Sequence, residues 1–459
     1  MRRPAGPQAP TMPAAPGPVP APVPVPAPTA TTGGEGVGPR AGYREVFAVG
    51  EFRAVFAAHL LAVLGNVVCE LALAVLVFKR TGSPLLSALT FAVGLLPYAV
   101  GGTLLAAVAD RYPARRVLVL CNLLCAGCAA GTVLPAVPVL ALLVLRCLSA
   151  TVAPVLTGTR AATLGDVLGE GDRFVLGRSV LRLVSQGAQL TGFAAGGLLL
   201  AAVPPRAVLG LTVATFLGSA LLLRLGTRAR PARTAPSARA GGAAVADRPS
   251  ALVAPFALVA DSLAGVRLLL GDPRIRALLL LAWVPPAFAV VSESLLTPYA
   301  GALGLGPAGL GLLMCGMPIG AITAESLAGS LLGPRGRARL TFPVAVLAML
   351  PALGYAAHPA FGWALACQFL TGCGICYTLG LDQWFLAAVP ERLRGQAMTL
   401  LTGGLMTAQG IGMTLAGTAA EFAPVHRVIA TGGVLGTLAV AAVLLLVRRG
   451  RPPGPAACC

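Results

Sequence analysis

Residues 54–78 read AVFAAHLLAVLGNVVCELALAVLVF, an apolar run broken only by His59, Asn66 and Glu70. A helix needs about 20 mostly apolar residues to cross a hydrocarbon core of about 30 Å. This run meets that length, and it is the first of about twelve. The others fall near Leu85–Ala109, Val117–Leu134, Pro138–Thr157, Leu183–Val203, Ala207–Leu223, Ala277–Ala300, Gly309–Leu332, Leu340–Ala357, Phe361–Ala388, Ala397–Ala420 and Val428–Val447. Pro135 and Pro138 mark a tight turn in the longest uninterrupted apolar run, which favours twelve spans over ten. The composition agrees: 56% hydrophobic and 11% charged, against about 25% charged in soluble domains. The expected fold class is an all-α polytopic membrane protein.

The net charge of +18 invites a nucleic-acid reading, but its distribution argues for topology. With the N-terminus in the cytoplasm, that side receives Arg2, Arg3, Arg40, Arg44, Arg53, Arg111, Arg115, Arg116, Arg160, Arg173, Arg178, Arg182 and the Arg-rich stretch from Arg224 to Arg276. It also receives Arg335, Arg337, Arg339, Arg392, Arg394, Arg448, Arg449 and Arg451, whereas the other side holds Lys79, Arg80, Arg206 and Arg427. This is the positive-inside asymmetry over an even number of crossings, and it places both termini in the cytoplasm. A cell-membrane, multi-pass location follows, with the lipid bilayer as partner and no nucleic acid.

The chain divides accordingly. Residues 1–43 are a Pro/Ala-rich tail expected to be disordered or polyproline-like, and no removed signal peptide is expected. Residues 44–226 form a six-helix bundle and residues 227–272 a flexible cytoplasmic linker. Residues 273–449 form a second six-helix bundle, and residues 450–459 a cytoplasmic tail. The cysteines fall mainly inside spans; Cys373-x-x-Cys376 has no His or acidic cluster at ligand spacing, so it reads as packing and no metal is expected. Cys458-Cys459 reads as a free tail.

The two halves repeat weakly at an offset of about 220 residues. Gln189-x-x-Gly192-x-x-x-Gly196-Gly197 in span five matches Gln409-x-x-Gly412-x-x-x-Ala416-Gly417 in span eleven, and Pro97 and Arg116 align with Pro318 and Arg337. Parallel six-helix repeats are the build of one large transporter class, with the substrate site between the halves near mid-membrane. Gly192, Gly196, Gly197, Gly412 and Gly417 are therefore expected to allow close packing between the halves.

Between spans two and three the chain reads GTLLAAVADRYPARR over residues 102–116. A carboxylate at a helix end, followed by a basic turn, can lock helix termini through charge and dipole contacts. The string resembles the signature cytoplasmic loop of the major facilitator superfamily, departing from it at Ala106 and Pro113. The resemblance implies that Asp110, Arg111, Arg115 and Arg116 form an inward-side gate facing the start of span eleven. Leu142-x-x-x-Arg146 resembles the element that places an arginine in the membrane of proton-coupled members, with Ser149-Ala150 in place of the usual Gln-Gly. Gly192-Phe193-Ala194-Ala195-Gly196-Gly197 resembles the glycine-rich antiporter motif, with Phe193 at the usual proline. Within the superfamily the chain looks closest to macrolide-efflux-like drug:proton antiporters.

The ionisable residues carry their own message. Spans three, six, nine and twelve have none in their interiors, whereas spans one, four, seven and ten carry Glu70, Arg146, Glu293 and Asp382, and span eight adds Glu325. A charge at mid-membrane costs about 2.5–3.5 kcal/mol on insertion scales, so every third span is expected to face lipid and the first of each triplet a polar cavity. Glu70, Asn66, Arg146, Glu293, Glu325 and Asp382 are the expected proton-coupling and substrate residues, with Glu70 and Arg146 at similar depth in one cavity. His59 reads as a packed or interfacial residue. The functional expectation is a monomeric secondary exporter of small amphipathic or cationic molecules, driven by protons competing with substrate for a buried acid. The alternative is an importer or facilitator of a small metabolite on the same scaffold. No cofactor is expected beyond the proton gradient, and no nucleotide-phosphate loop supports ATP drive. A membrane enzyme lacks a His-Glu-x-x-His or Gly-x-Ser-x-Gly motif here, and a sensor lacks a folded soluble domain.

The topology is testable by impermeant thiol labelling of intact cells. In a cysteine-less background, His358→Cys should be modified from outside and Ala240→Cys should not. Labelling at 240 overturns the assignment of the linker to the cytoplasm.

Overall fold

The computed structural model describes residues 43–98, 112–169, 172–230, 266–390 and 393–449. Among these, every regular element is helical. After a short helix at Tyr43–Ala48, span one runs Gly50–Thr81, span two is described over Pro84–Leu95, and span three over Ala114–Val133. Span four is two abutting helices, Val139–Thr151 and Ala153–Leu168; spans five and six are Asp172–Ala202 and Pro205–Gly226. Spans seven and eight are Pro273–Ala302 and Pro307–Leu331. Span nine joins Pro334–Leu347 to a 3₁₀ segment Leu350–Ala357, and span ten joins Phe361–Cys373, Gly374–Tyr377 and Thr378–Ala388. Spans eleven and twelve are Arg394–Phe422 and Val425–Arg449.

The helix ends follow from local chemistry. Gly82 adopts φ 65°, which a side chain would disfavour, and its N–H donates to Phe78 O at 2.8 Å to end span one. Ser83 then caps span two by accepting from Leu86 N at 3.1 Å, with Pro84 in the first turn. Asp272 does the same for span seven, accepting from Arg274 N at 2.7 Å. The turn expected at Pro135–Pro138 separates spans three and four, and its carbonyls are claimed by arginines. Arg206 donates to Pro135 O at 2.7 Å, and Arg80 to Val137 O at 2.9 Å.

Nine helices of the described part are long and apolar enough to cross a membrane. Spans five and eleven are 31 and 29 residues long but more polar, because they line the seam between the halves rather than face lipid. Exposed leucines stand on spans three, six and twelve, such as Leu120, Leu221 and Leu438, and also on other spans, such as Leu140, Leu198 and Leu415. Span five starts eleven residues before the apolar run predicts, since its helix continues into an arginine-bearing segment with Arg173, Arg178 and Arg182.

Each half is stitched by its own pairs. Span six lies against spans one and three; span twelve lies against spans seven and nine; span eight lies against span ten. The halves meet mainly through span two against eleven and span five against eight. Those are equivalent pairs under the 220-residue repeat, which maps span two to eight and five to eleven.

Interior prolines test how the backbone is satisfied. Pro285 lies inside span seven and has no N–H to give Leu281 O. In hydrocarbon such a carbonyl needs another partner. Tyr377 Oη donates to it at 3.3 Å from span ten, and Tyr377 is buried. Tyr377→Phe should therefore cost about 1–3 kcal/mol in unfolding measurements on the purified protein. Pro285→Ala, which restores a donor to Leu281 O, should recover part of that loss; equal losses in both backgrounds would remove the compensation.

Candidate functional site

Span one carries the polar stripe around which the site forms. His59, Asn66 and Glu70 recur at spacings of seven and four residues, so at 3.6 residues per turn they share one face. The span is otherwise apolar and largely buried, which leaves these groups nowhere to go but toward the neighbouring helices. Arg146 of span four meets the stripe: its Nη2 pairs with Glu70 Oε1, and its Nη1 donates to Asn66 Oδ1 at 3.1 Å. The side chains of Arg146 and Glu70 are 5% and 17% exposed, so the pair is nearly dry. Opposite charges in such a place must neutralise each other, since either alone would be too costly to keep.

Two features complete this shell. Gly94 of span two leaves the room the pair needs: a β-carbon there would lie 2.5 Å from Arg146 Nη2 and 3.0 Å from Glu70 Oε1. Sequence reading missed Gly94; its only signal is a glycine inside an apolar span. On the other side, Arg146 Nε has no protein partner and borders a cavity of about 10 Å³ lined by Asn66, Ser149, Cys69, Cys125 and Cys128. That volume suits one water.

Glu293, from the second half, comes within electrostatic reach of Glu70. It makes no hydrogen bond or ion pair among the described residues. The centre therefore holds two carboxylates from opposite halves and one guanidinium, which Glu70 occupies.

Glu325 and Asp382 belong elsewhere, which corrects the expectation of one cavity for all the acids. Glu325 accepts from Gln186 Nε2 of span five at 3.2 Å, and Asp382 interacts with Glu325 and with Arg182 of span five. Helix length explains the separation: both acids lie in the last turns of their spans toward the arginine-rich end, where water and arginines meet their charge. The expectation for the glycines is also corrected. Gly192 and Gly196 pack against Val67, Val68 and Leu71 inside the first half, and Gly412 packs against Ala287 inside the second. These three face the interior of their own bundle because the seam occupies a different side of each helix. Gly197 and Gly417 do sit on the seam, where added β-carbons would meet Gly311 Cα at 2.8 Å and Leu85 Cα at 3.0 Å.

The seam has a gradient. At the arginine-poor end it closes backbone to backbone at Gly197 and Gly311, and Glu421 of span eleven accepts from Ser83 Oγ and from Leu85 N (3.0 Å) at the start of span two. Fourteen residues along span eight, the halves are a long side chain apart, at Glu325 and Gln186. Gly329 is 18 residues from Gly311, on the same face and about 27 Å away, and a β-carbon there would meet nothing. Among the described residues, the contact between spans five and eight loosens toward the arginine-rich end. Arg115 and Arg116 of the expected gate stand at the start of span three on that end, Arg116 exposed; Asp110 and Arg111 lie outside the described residues.

Two six-helix halves around a paired, membrane-buried charge are the architecture of a polytopic transporter. Residues 55–298, more than half the chain, match the family model of the Major Facilitator Superfamily, and the chain belongs to that superfamily. No curated protein matches its sequence. Its structure is similar to one reported for proton-dependent oligopeptide transporters, at TM-score 0.62 and 13% identity, covering 88% of this chain and 99% of the other. It is also similar to a peptide transporter POT in complex with sulfate, at TM-score 0.66 and 16% identity over 90% and 96% of the chains. A POT family transporter in complex with 5-aminolevulinic acid aligns at TM-score 0.64 and 12% identity over 87% and 96%. At these identities the likeness shows the fold.

Gly94→Ala should lower the apparent melting temperature of the purified protein by about several degrees, because the added methyl displaces a buried pair whose disruption costs about 3–5 kcal/mol. Gly127→Ala on span three, which meets open space, should leave it unchanged. Equal behaviour of the two variants would mean that the pair yields freely.

Proposed function

We propose that the chain is a proton-coupled secondary transporter that takes up a small organic solute by alternating access across the cell membrane, both termini being cytoplasmic. The observation that carries this is the central constellation: the Arg146–Glu70 pair with Asn66, and Glu293 of the other half, unpaired among the described residues and within electrostatic reach of Glu70. A proton on Glu293 removes the repulsion between two carboxylates and lets the halves close around them; its loss restores the repulsion and favours parting. Protonation thus biases a two-state rocking equilibrium by a differential interaction, as coupling requires. Glu325, Gln186, Arg182 and Asp382 bridge the looser end, where their contacts must break and form as the halves rock. Asp110, Arg111, Arg115 and Arg116 are proposed as the further gate there, and Gly197 and Gly417 as the close contacts on which the halves pivot.

Uptake is preferred over efflux because structures of this architecture include proton-dependent oligopeptide transporters. Export of amphipathic or cationic molecules is the second reading, favoured by the resemblance of Gly192–Gly197 to the antiporter motif. A metabolite and drug panel on cells with and without the gene supplies a transported compound. In proteoliposomes an imposed proton gradient should then concentrate that compound. Glu70→Gln and Glu293→Gln should each abolish gradient-driven accumulation while leaving counterflow exchange measurable. Accumulation at the normal rate in both variants refutes this coupling site, and accumulation on the side from which protons flow marks the protein as an exporter.

A further inference from the structure

Arg160 of span four is half-buried inside the first bundle, 14 residues and about 21 Å beyond Arg146 toward the arginine-rich end. Its neighbours in electrostatic reach are the Tyr98 phenol of span two and His59 of span one. No carboxylate pairs with it among the described residues. The contrast with the other ionisable groups of the bundle is plain: Arg146 has Glu70, Arg182 has Asp382 and Glu325 has Gln186. A guanidinium held among helices with no carboxylate paired to it among the described residues leaves room for the anion of a ligand.

His59 supplies an independent observation. It is 7% exposed, and its Nε2 lies 2.7 Å from Ser185 Oγ, which itself donates to Leu181 O at 2.9 Å. Where Ser185 keeps its proton on Leu181 O it accepts from His59 Nε2, and in that tautomer Nδ1 is an acceptor. Nδ1 is buried and has no partner. A buried ring nitrogen without a partner costs about 1–3 kcal/mol, and Arg160, a group that can only donate, lies within electrostatic reach of this ring. His59 also shares the face of span one that carries Asn66 and Glu70, so it lies on the route from the looser end to the coupling pair.

We infer that Arg160, Tyr98 and His59 form a binding site for a small molecule bearing a carboxylate with a hydrogen-bond donor beside it, as in 2-hydroxy or 2-amino acids. The guanidinium takes the carboxylate in its two-pronged geometry, the Tyr98 hydroxyl donates to the same group, and Nδ1 accepts from the neighbouring hydroxyl or ammonium. The site names a substrate class for the transporter reading and rests on it. Binding at equilibrium, with no gradient, separates failure of this site from failure of the coupling mechanism.

The test is thermal stabilisation of the purified full chain by 2-hydroxy acids, amino acids, short peptides and plain carboxylates, each paired with its carboxamide, together with inorganic phosphate. At least one acid should stabilise the protein where its carboxamide does not, and an adjacent hydroxyl or amino group should strengthen it. Arg160→Gln should weaken that binding about 10- to 100-fold, with Arg160→Lys intermediate. His59→Phe should erase the advantage of the hydroxy or amino acid over the plain acid and leave the acid bound. The proposal is overturned if no acid outperforms its carboxamide, if Arg160→Gln binds the acid as tightly as the wild type, or if phosphate alone stabilises.

Discussion

A charge cannot be left alone in hydrocarbon, and the pairing of Arg146 with Glu70 is where this protein meets that constraint. Everything near the pair is arranged to keep it. Span one must present Glu70 and Asn66 on one face, span four must bring Arg146 to the same depth, and span two must thin to a glycine at Gly94 so that the side chains fit. The pair is thereby a register mark for three helices, because sliding any one of them by a turn would strand a charge. Glu293 enters the same neighbourhood from the other half and ties the electrostatics of the centre to the distance between the halves.

The seam between the halves is built differently at its two ends. Its tight end uses residues with no side chain, so that backbones of spans five and eight touch at Gly197 and Gly311, and Glu421 holds the start of span two. Its loose end uses long polar side chains, Gln186 against Glu325, whose contacts break and reform in water at little cost. A hinge of this kind needs rigid halves. Compensations such as Tyr377 donating to the carbonyl freed by Pro285 keep span seven helical in spite of three interior prolines.

Much of this was legible in the chain itself. Spans were readable because a bilayer demands a length of apolar helix. The repeat between Gln189–Gly197 and Gln409–Gly417 marks spans five and eleven, two of the four helices at the seam, since close packing restricts the residues allowed there. What could not be read was the facing of single residues. Gly192, Gly196 and Gly412 have the same identity as Gly197 and Gly417, yet a difference of one residue rotates a position by about 100° around the helix and turns it from the seam into its own bundle. Glu325 and Asp382 were counted with Glu70 as cavity residues, but a few turns of helix place them at the arginine-rich end, with Gln186 and Arg182.

The amino-acid sequence by itself determined that the chain is a many-span helical membrane protein and that Glu70 and Arg146 need to be compensated, because each follows from the free energy of one residue in one solvent. Only the tertiary structure decided which partner compensates which charge, that Arg160 and His59 Nδ1 have none among the described residues, and where the halves touch, because those depend on the rotation and depth of one helix against another.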